Sequence, residues 1–254
     1  MPRAEGSDDP EMDTLERPGS DGTDRAATPN AVSPSRVWLS WSSGKDAAFA
    51  LVRLRQQPSL QVTGLLTTVT REFERVSMHG VRVELLRAQC QRAGVPLHIV
   101  EIPYPCSNEE YERAMGAACA RARAEGVEAV AFGDLYLEEV RRYREQNLGK
   151  AGLRGIFPLW GLPTAELART MIASGLRATL SCVDPRRLPA SFAGREFDAT
   201  LLDDLPPGVD PCGENGEFHT FVHDGPMFDA PIRLHHGEVV ERDGFVFADL
   251  RPSP

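Results

Sequence analysis

Lysine is nearly absent from this sequence: 26 of the 28 basic residues are arginine, and Lys45 and Lys150 are the only exceptions. In a chain that uses arginine for almost every positive charge, a lysine asks for an explanation of its own. Cysteine is sparse as well. The five residues (Cys90, Cys106, Cys119, Cys182, Cys212) are odd in number, scattered and never in a C-x-x-C pair, which argues against a disulfide framework or a zinc site. They read as small buried hydrophobes. No stretch approaches the roughly 20 apolar residues that a membrane span requires, and no basic start followed by an apolar run marks a secretory signal. A cytoplasmic chain without membrane contact is the expectation.

Positive charge is short too. The net charge is -9, and residues 1–35 hold eight carboxylates against Arg3, Arg17 and Arg25, so the rest of the chain is close to neutral. Neither part offers the concentrated basic surface on which counterion-release binding depends, which excludes general nucleic-acid binding. The first 35 residues, rich in Pro, Gly, Ser, Thr and Asp, cannot bury enough apolar surface to offset ordering and read as a disordered acidic tail.

From residue 36 the pattern is regular. Apolar runs of strand length at 36–41, 62–69, 97–102 and 128–132 alternate with helical stretches at 46–55, 81–93, about 107–125 and about 135–148. Ser107 or Asn108 can cap the third helix, and Glu109 and Glu110 favour its positive end. Strands alternating with helices at this spacing predict an α/β fold with a parallel sheet covered on both faces. After Phe157-Pro-Leu-Trp160 a helix near 164–174 and a strand near 176–183 remain. The chain then turns rich in Gly, Pro and Asp and ends on a hairpin signal at Asp243-Gly244. The expected organisation is a tail over 1–35, a nucleotide-binding portion over 36–160 and a smaller α+β portion over 161–254.

Ser42-Ser43-Gly44-Lys45-Asp46 lies between the first strand and its helix, where a helix start offers unpaired N–H groups to an anion. It is no Walker A loop, because Leu39 stands where the first glycine belongs and Asp46 follows the lysine. No G-x-G-x-x-G is present either. The loop resembles the pyrophosphate loop of the N-type ATP pyrophosphatases, members of the adenine nucleotide α-hydrolase superfamily, whose form is S-G-G-x-D-S or S-G-G-x-D-T. Ser43 departs from it by replacing a glycine, and Ala47 by replacing a hydroxyl residue.

Two later segments narrow the comparison. Gly133-Asp134 falls at the end of the fourth strand, and on the next helix Arg141 and Glu145 share a face. Glu138, Glu139, Arg142 and Arg144 read as a solvated helical surface. The second segment, Gly213-Glu-Asn-Gly-Glu-Phe-His-Thr220, sets Glu214 and Glu217 around Asn215-Gly216 ahead of a strand. His219 and His223 lack a third partner and do not read as a metal site.

Together these segments, ordered over residues 36–250, resemble the diphthine–ammonia ligase family. Gly213–Thr220 is similar to its G-E-G-G-E-[YF]-x-T signature. The resemblance implies a HUP-like (Rossmann-like) domain with ATP along the carboxyl edge of the sheet, on Ser40, Ser42, Ser43, Gly44, Lys45 and Asp46, and on Gly133 and Asp134. Mg²⁺ would sit at Asp46. Lys45, Asp46, Glu214 and Glu217 would be catalytic, and Arg141, Glu145, Glu214, Asn215, Glu217 and His219 would hold the substrate. The implied reaction adenylates a small-molecule or protein-borne carboxylate and transfers ammonia or an amine to it, releasing AMP and pyrophosphate. A homodimer belongs to the same expectation. Two other readings remain: a non-catalytic adenine-nucleotide-binding module, and ATP-dependent sulfur transfer to tRNA, which would need a reactive cysteine pair and a basic RNA surface.

Overall fold

In a computed structural model that describes residues 33–253, β1 (Ser35–Ser40) carries Val37 and Leu39 to one face of a sheet and Trp38 to the other. Nearly all of the acidic segment expected to be disordered lies outside the described residues. β1 feeds α1 (Lys45–Arg55), and β2 (Leu60–Thr70) returns parallel to it. After β3 (Arg75–Val76) and α2 (Val83–Ala93), β4 (Leu97–Ile102) adds on the far edge of β2. α3 (Asn108–Ala124) starts as its sequence signals. Ser107 Oγ accepts from Glu110 N at 3.2 Å, and a Glu110 carboxylate oxygen accepts from Ser107 N at 3.0 Å. β5 (Ala129–Ala131), α4 (Glu138–Lys150) and β6 (Arg154–Ile156) complete the first sheet.

β1 therefore lies in the middle of a parallel array, with β2 and β4 on one side and β5 and β6 on the other. Leu65 and Leu66 pair with β1 and β4 at once, and Val69 and Thr70 with β3 and β4 at once. The short β3 thus extends the β1 edge of β2 beyond the point where β1 ends. Neither β3 nor β6 is visible in the sequence pattern, being two and three residues long.

A second, antiparallel sheet has the order β8-β7-β10-β9, from β7 (Arg177–Val183), β8 (Phe218–Asp224), β9 (Leu234–Arg242) and β10 (Phe245–Pro252). α5 (Thr164–Ala173) leads into it, and α6 (Ala199–Asp204), capped by Asp198, interrupts it. Asp243 and Gly244 have φ of 50° and 78°, as the primed turn of the β9–β10 hairpin demands. One hydrophobic core runs from Val37, Leu39 and Leu51 to Phe218, Phe221 and Val222, so the second sheet packs directly on the face of α1 and α2. α3 and α4 cover the opposite face, where Ala122 and Leu148 cluster with Val130 of β5. Among the described residues no helix is long and apolar enough to cross a membrane.

Candidate functional site

The chain leaves β1 for β2 on one side and later returns to β5 on the other, which makes the crevice between the carboxyl ends of β1 and β5 a topological switch point. The loops after these two strands meet there. A Cβ on Gly133 would stand 2.7 Å from the backbone carbon of Asp46 and 2.8 Å from the nitrogen of Ala47, so only glycine allows this approach. Ser43 adopts φ 71°, a left-handed conformation that costs a non-glycine residue about 1–3 kcal/mol. Surrounding bonds impose it. The Ser43 carbonyl accepts from Gln89 Nε2 and from Val222 N, each at 3.0 Å, while Gln89 accepts from Trp41 Nε1 at 2.9 Å. Lys45 N donates to Thr220 Oγ1 at 3.0 Å. One of the unpaired N–H groups of the α1 start is thereby met by a hydroxyl from the second sheet. Ser40 ends β1, and Ser42 Oγ accepts weakly from Gly44 N at 3.4 Å.

Lys45 points inward. Only 2 % of it is exposed, and its ammonium donates to the Cys212 carbonyl and, at 2.9 Å, to Asp46 Oδ2, with the Phe218 ring centre 5.2 Å away. Burial would lower its pKa. The charge of Asp46 heads the influences that outweigh burial and raise it, so the lysine stays charged. Its ammonium thus joins the loop to the Asp210–Glu217 segment. Asp46 gives one oxygen to Lys45, while its Oδ1 is buried without a hydrogen-bond partner. Burial raises this carboxyl against the opposing pull of Lys45.

The Asp210–Glu217 segment is a tight loop closed on itself. Glu217 Oε1 accepts from Asp210 N at 3.3 Å and Asn215 Nδ2 at 3.0 Å, and Asp210 Oδ2 accepts from Glu214 N at 2.9 Å. Glu217 is almost wholly buried, with Arg187 3.9 Å away and its own Oε2 without a hydrogen-bond partner. Glu214 reaches back across the crevice, where its Oε1 accepts from Leu135 N at 2.8 Å. Burial, reinforced by the charges of Asp46 and Asp134, pushes the Glu214 carboxyl up to about 7. His219 packs against His79 with ring centres 4.4 Å apart and the rings tilted by 38°. Burial and the Lys45 charge push it down to about 4, and His79 is likewise lowered, so both rings are neutral at pH 7.

The structure therefore brings Ser42–Asp46, Gly133 and Glu214 together around the crevice, with His219 beside Lys45 and Glu217 held inside the Asp210–Glu217 loop. Asp134 stands there too, but its carboxylate pairs with Arg144 at 2.6 Å, and Arg144 lies over the Phe132 ring. This corrects the reading of Arg144 as a solvated side chain; Glu138, Glu139 and Arg142 are exposed as expected. Arg141 and Glu145 do pair, at 2.9 Å, and Arg141 packs over Phe157 and Trp160 at 4.7 Å. None of these contacts involves the Ser42–Asp46 loop. Thr220, Gln89, His79 and Asp210 are the residues that sequence reasoning passed over. Gln89 had a signal, being a polar residue on the buried face of α2 between Leu85, Leu86, Cys90 and Ala93.

Among the described residues no group of three or more His, Cys, Asp or Glu side chains converges as a metal site. A nucleotide-borne Mg²⁺ needs only one or two carboxylates beside the phosphates, and the unpartnered Asp46 Oδ1 fits that requirement.

The fold and the crevice define an α/β protein with a switch-point loop at a helix start, completed by a strand of a second sheet. The sequence matches the diphthamide synthase N-terminal domain over residues 35–155 and the diphthamide synthase C-terminal domain over residues 163–248. The chain belongs to the diphthamide synthase family. Among curated relatives, the diphthine–ammonia ligase of Schizosaccharomyces pombe is 35 % identical over 120 residues, 45 % of this chain and 20 % of the relative. That of Homo sapiens is 31 % identical over 151 residues, 57 % of this chain and 56 % of the relative. That of Danio rerio is 33 % identical over 131 residues, 49 % and 51 % respectively. The match thus spans from a fifth to about half of the length of these relatives.

Proposed function

We propose that the chain uses ATP to activate a carboxylate and transfers ammonia or an amine to it, releasing AMP and pyrophosphate. What carries this reading is the joining of the switch-point loop to the second motif, through Lys45 N to Thr220 and Glu214 to Leu135 N. A phosphate site and a carboxylate-bearing loop share one crevice. The relatives are named as ligases that use ammonia.

In this scheme the triphosphate lies on Ser42–Asp46, with Gly133 letting the two loops close on each other and Asp134 at its edge. A substrate carboxylate oxygen attacks the α-phosphorus; the bond to pyrophosphate breaks, and an acyl-adenylate remains. The nitrogen lone pair then attacks the acyl carbon, AMP leaves with the C–O electron pair, and Glu214 takes the proton that the nitrogen loses. A carboxyl poised near 7 suits proton transfer at neutral pH. Mg²⁺, held by Asp46, would offset charge on the phosphates. Glu217 and Asn215 shape the acceptor side of the crevice, and Arg141 and Glu145 serve at its periphery. Residues 36–160 supply the nucleotide half and 161–254 the acceptor half.

Sulfur transfer is disfavoured by a specific observation: burial pushes the thiols of Cys182 and Cys212 up to about 12, away from nucleophilic thiolates. AMP and pyrophosphate release, measured across a panel of carboxylates with ammonia, tests the ligase reading. AMP that depends on both acid and amine supports it. ATP binding without turnover across the whole panel refutes it in favour of a nucleotide-binding module.

A further inference from the structure

β3, the turn after it and the β9–β10 hairpin enclose a cavity of about 490 Å³ that none of these roles uses. Its walls are aromatic: Phe73 and Tyr104 pack at 5.1 Å, and Phe245 and Phe247 face them from β10. Gly80 closes one side. A Cβ there would stand 2.6 Å from the Phe247 ring. The deep end is ionic. Asp249, 9 % exposed, accepts from Arg75 at 3.0 Å, from Arg82 at 2.9 and 3.0 Å, and from Arg251 at 2.7 Å. One carboxylate thus faces three guanidiniums, and with Glu84 of α2 also acting on Arg82 the cluster keeps a surplus of one positive charge. Glu238, Arg242 and Asp243 lie farther out, exposed on the hairpin, with Asp243 bonded to the Tyr104 hydroxyl.

The arginines are 24, 34 and 47 % exposed, so the surplus positive charge is open to solvent and to an incoming anion. Arg251 commits a single N–H to Asp249, so donors remain for such an anion. A second cavity, of about 560 Å³, adjoins the first. Met78 and Phe245 line both, and the second is bounded by Asn215, Gly216 and His219 of the second motif. One molecule of moderate size can occupy the two chambers past Met78.

We infer that the arginine-floored chamber binds the anionic end, carboxylate or phosphate, of a ligand with an apolar or aromatic body. Resting on the ligase reading, that ligand is the acceptor, whose reacting carboxylate lies in the neighbouring chamber. The preferred acceptors are then dianions, with one charge activated and the other held at Arg82 and Arg251.

The test is binding to the full chain by calorimetry or ligand-observed NMR without nucleotide, using 3-phenylpropionate and phenyl phosphate as probes and 3-phenylpropionamide as the neutral control. Charge-assisted hydrogen bonds predict a preference for the anions of about tenfold or more. Arg251→Gln, at a half-exposed position, should cut that preference to below about threefold, and Arg251→Lys should keep part of it. Melting curves check that both variants fold, and Arg82→Gln serves as the second probe of the same floor. Equal binding of acid and amide, or an Arg251→Gln preference matching that of the wild type, overturns the site. Displacement of the probes by a non-hydrolysable ATP analogue overturns it too, since the chamber would then belong to the nucleotide. Anion selectivity that persists where no acid yields AMP upholds the chamber while removing the ligase reading. AMP formed equally well from mono- and dianionic acids, with Arg251→Gln unaffected, upholds the ligase and removes the acceptor assignment.

Discussion

The backbone N–H of Lys45 and the hydroxyl of Thr220 meet at 3.0 Å across 175 positions of sequence. Thr220→Val keeps the shape and removes the acceptor, which leaves a buried N–H unpaired at a cost of about 1–3 kcal/mol. The urea midpoint should fall by the corresponding amount at constant slope, and nucleotide affinity should fall with it. Thr220→Ser should retain most of both. A Thr220→Val protein as stable as wild type would mean that the loop does not depend on this bond.

Ser43 carries two local costs, a left-handed φ of 71° and a hydroxyl buried without a partner. Ser43→Gly relieves both and gives back part of the gain through the greater freedom of glycine in the unfolded chain. The expected net effect is a stabilisation of about 1 kcal/mol, or about 2–4 °C in melting midpoint. A lower midpoint would show that the serine hydroxyl makes a compensating contact.

The two lysines should behave differently. Lys45→Met strands the buried Asp46 carboxylate and the Cys212 carbonyl, which should cost about 3–5 kcal/mol and abolish nucleotide binding. Lys150 is exposed and among the described residues bonds only Asn147, so Lys150→Ala should stay within about 0.5 kcal/mol of wild type. Denaturant titrations of both variants decide this, and equal small effects would contradict the placement of Lys45.

Glu214 titrates near 7 in the folded chain against an ordinary value of 4.5. Between those values the folded state holds a proton that the unfolded state has released, so its contribution to stability is full below about pH 4.5 and lost as pH rises through 7. Glu214→Gln is neutral throughout and still accepts from Leu135 N. Its stability should therefore decline less over that window. Amide formation should rise with an apparent pKa near 7 in the wild type and lose that limb in the variant. Identical pH profiles would remove Glu214 from proton transfer.

Local signals made much of the fold legible. The apolar run at Val37–Leu39 marks β1, the Ser107–Glu110 capping box marks the start of α3, and Asp243-Gly244 marks the last hairpin. β3 and β6 escaped because two or three residues carry no period, and α6 because six residues barely make one turn and a half. At the site, the Ser42–Asp46 loop and the Glu214 and Glu217 motif were readable, but their mutual arrangement was not. The inward turn of Lys45 depends on the Cys212 carbonyl, 167 positions away, and the pairing of Arg144 depends on the buried edge of Asp134. Neither partner is within reach of a helical or strand period.

The seam between the Ser42–Asp46 loop and β8 also orders the birth of the molecule. During synthesis from the N-terminus, the parallel sheet can assemble from the first half of the chain, while the hydroxyl and carbonyl that finish the loop emerge far later. Contacts of such long sequence separation form slowly, because chain closure precedes their reward. A nascent chain thus carries a parallel sheet whose Ser42–Asp46 loop is still unfinished, and on the proposed function competence to handle a nucleotide would arrive only as the second sheet docks.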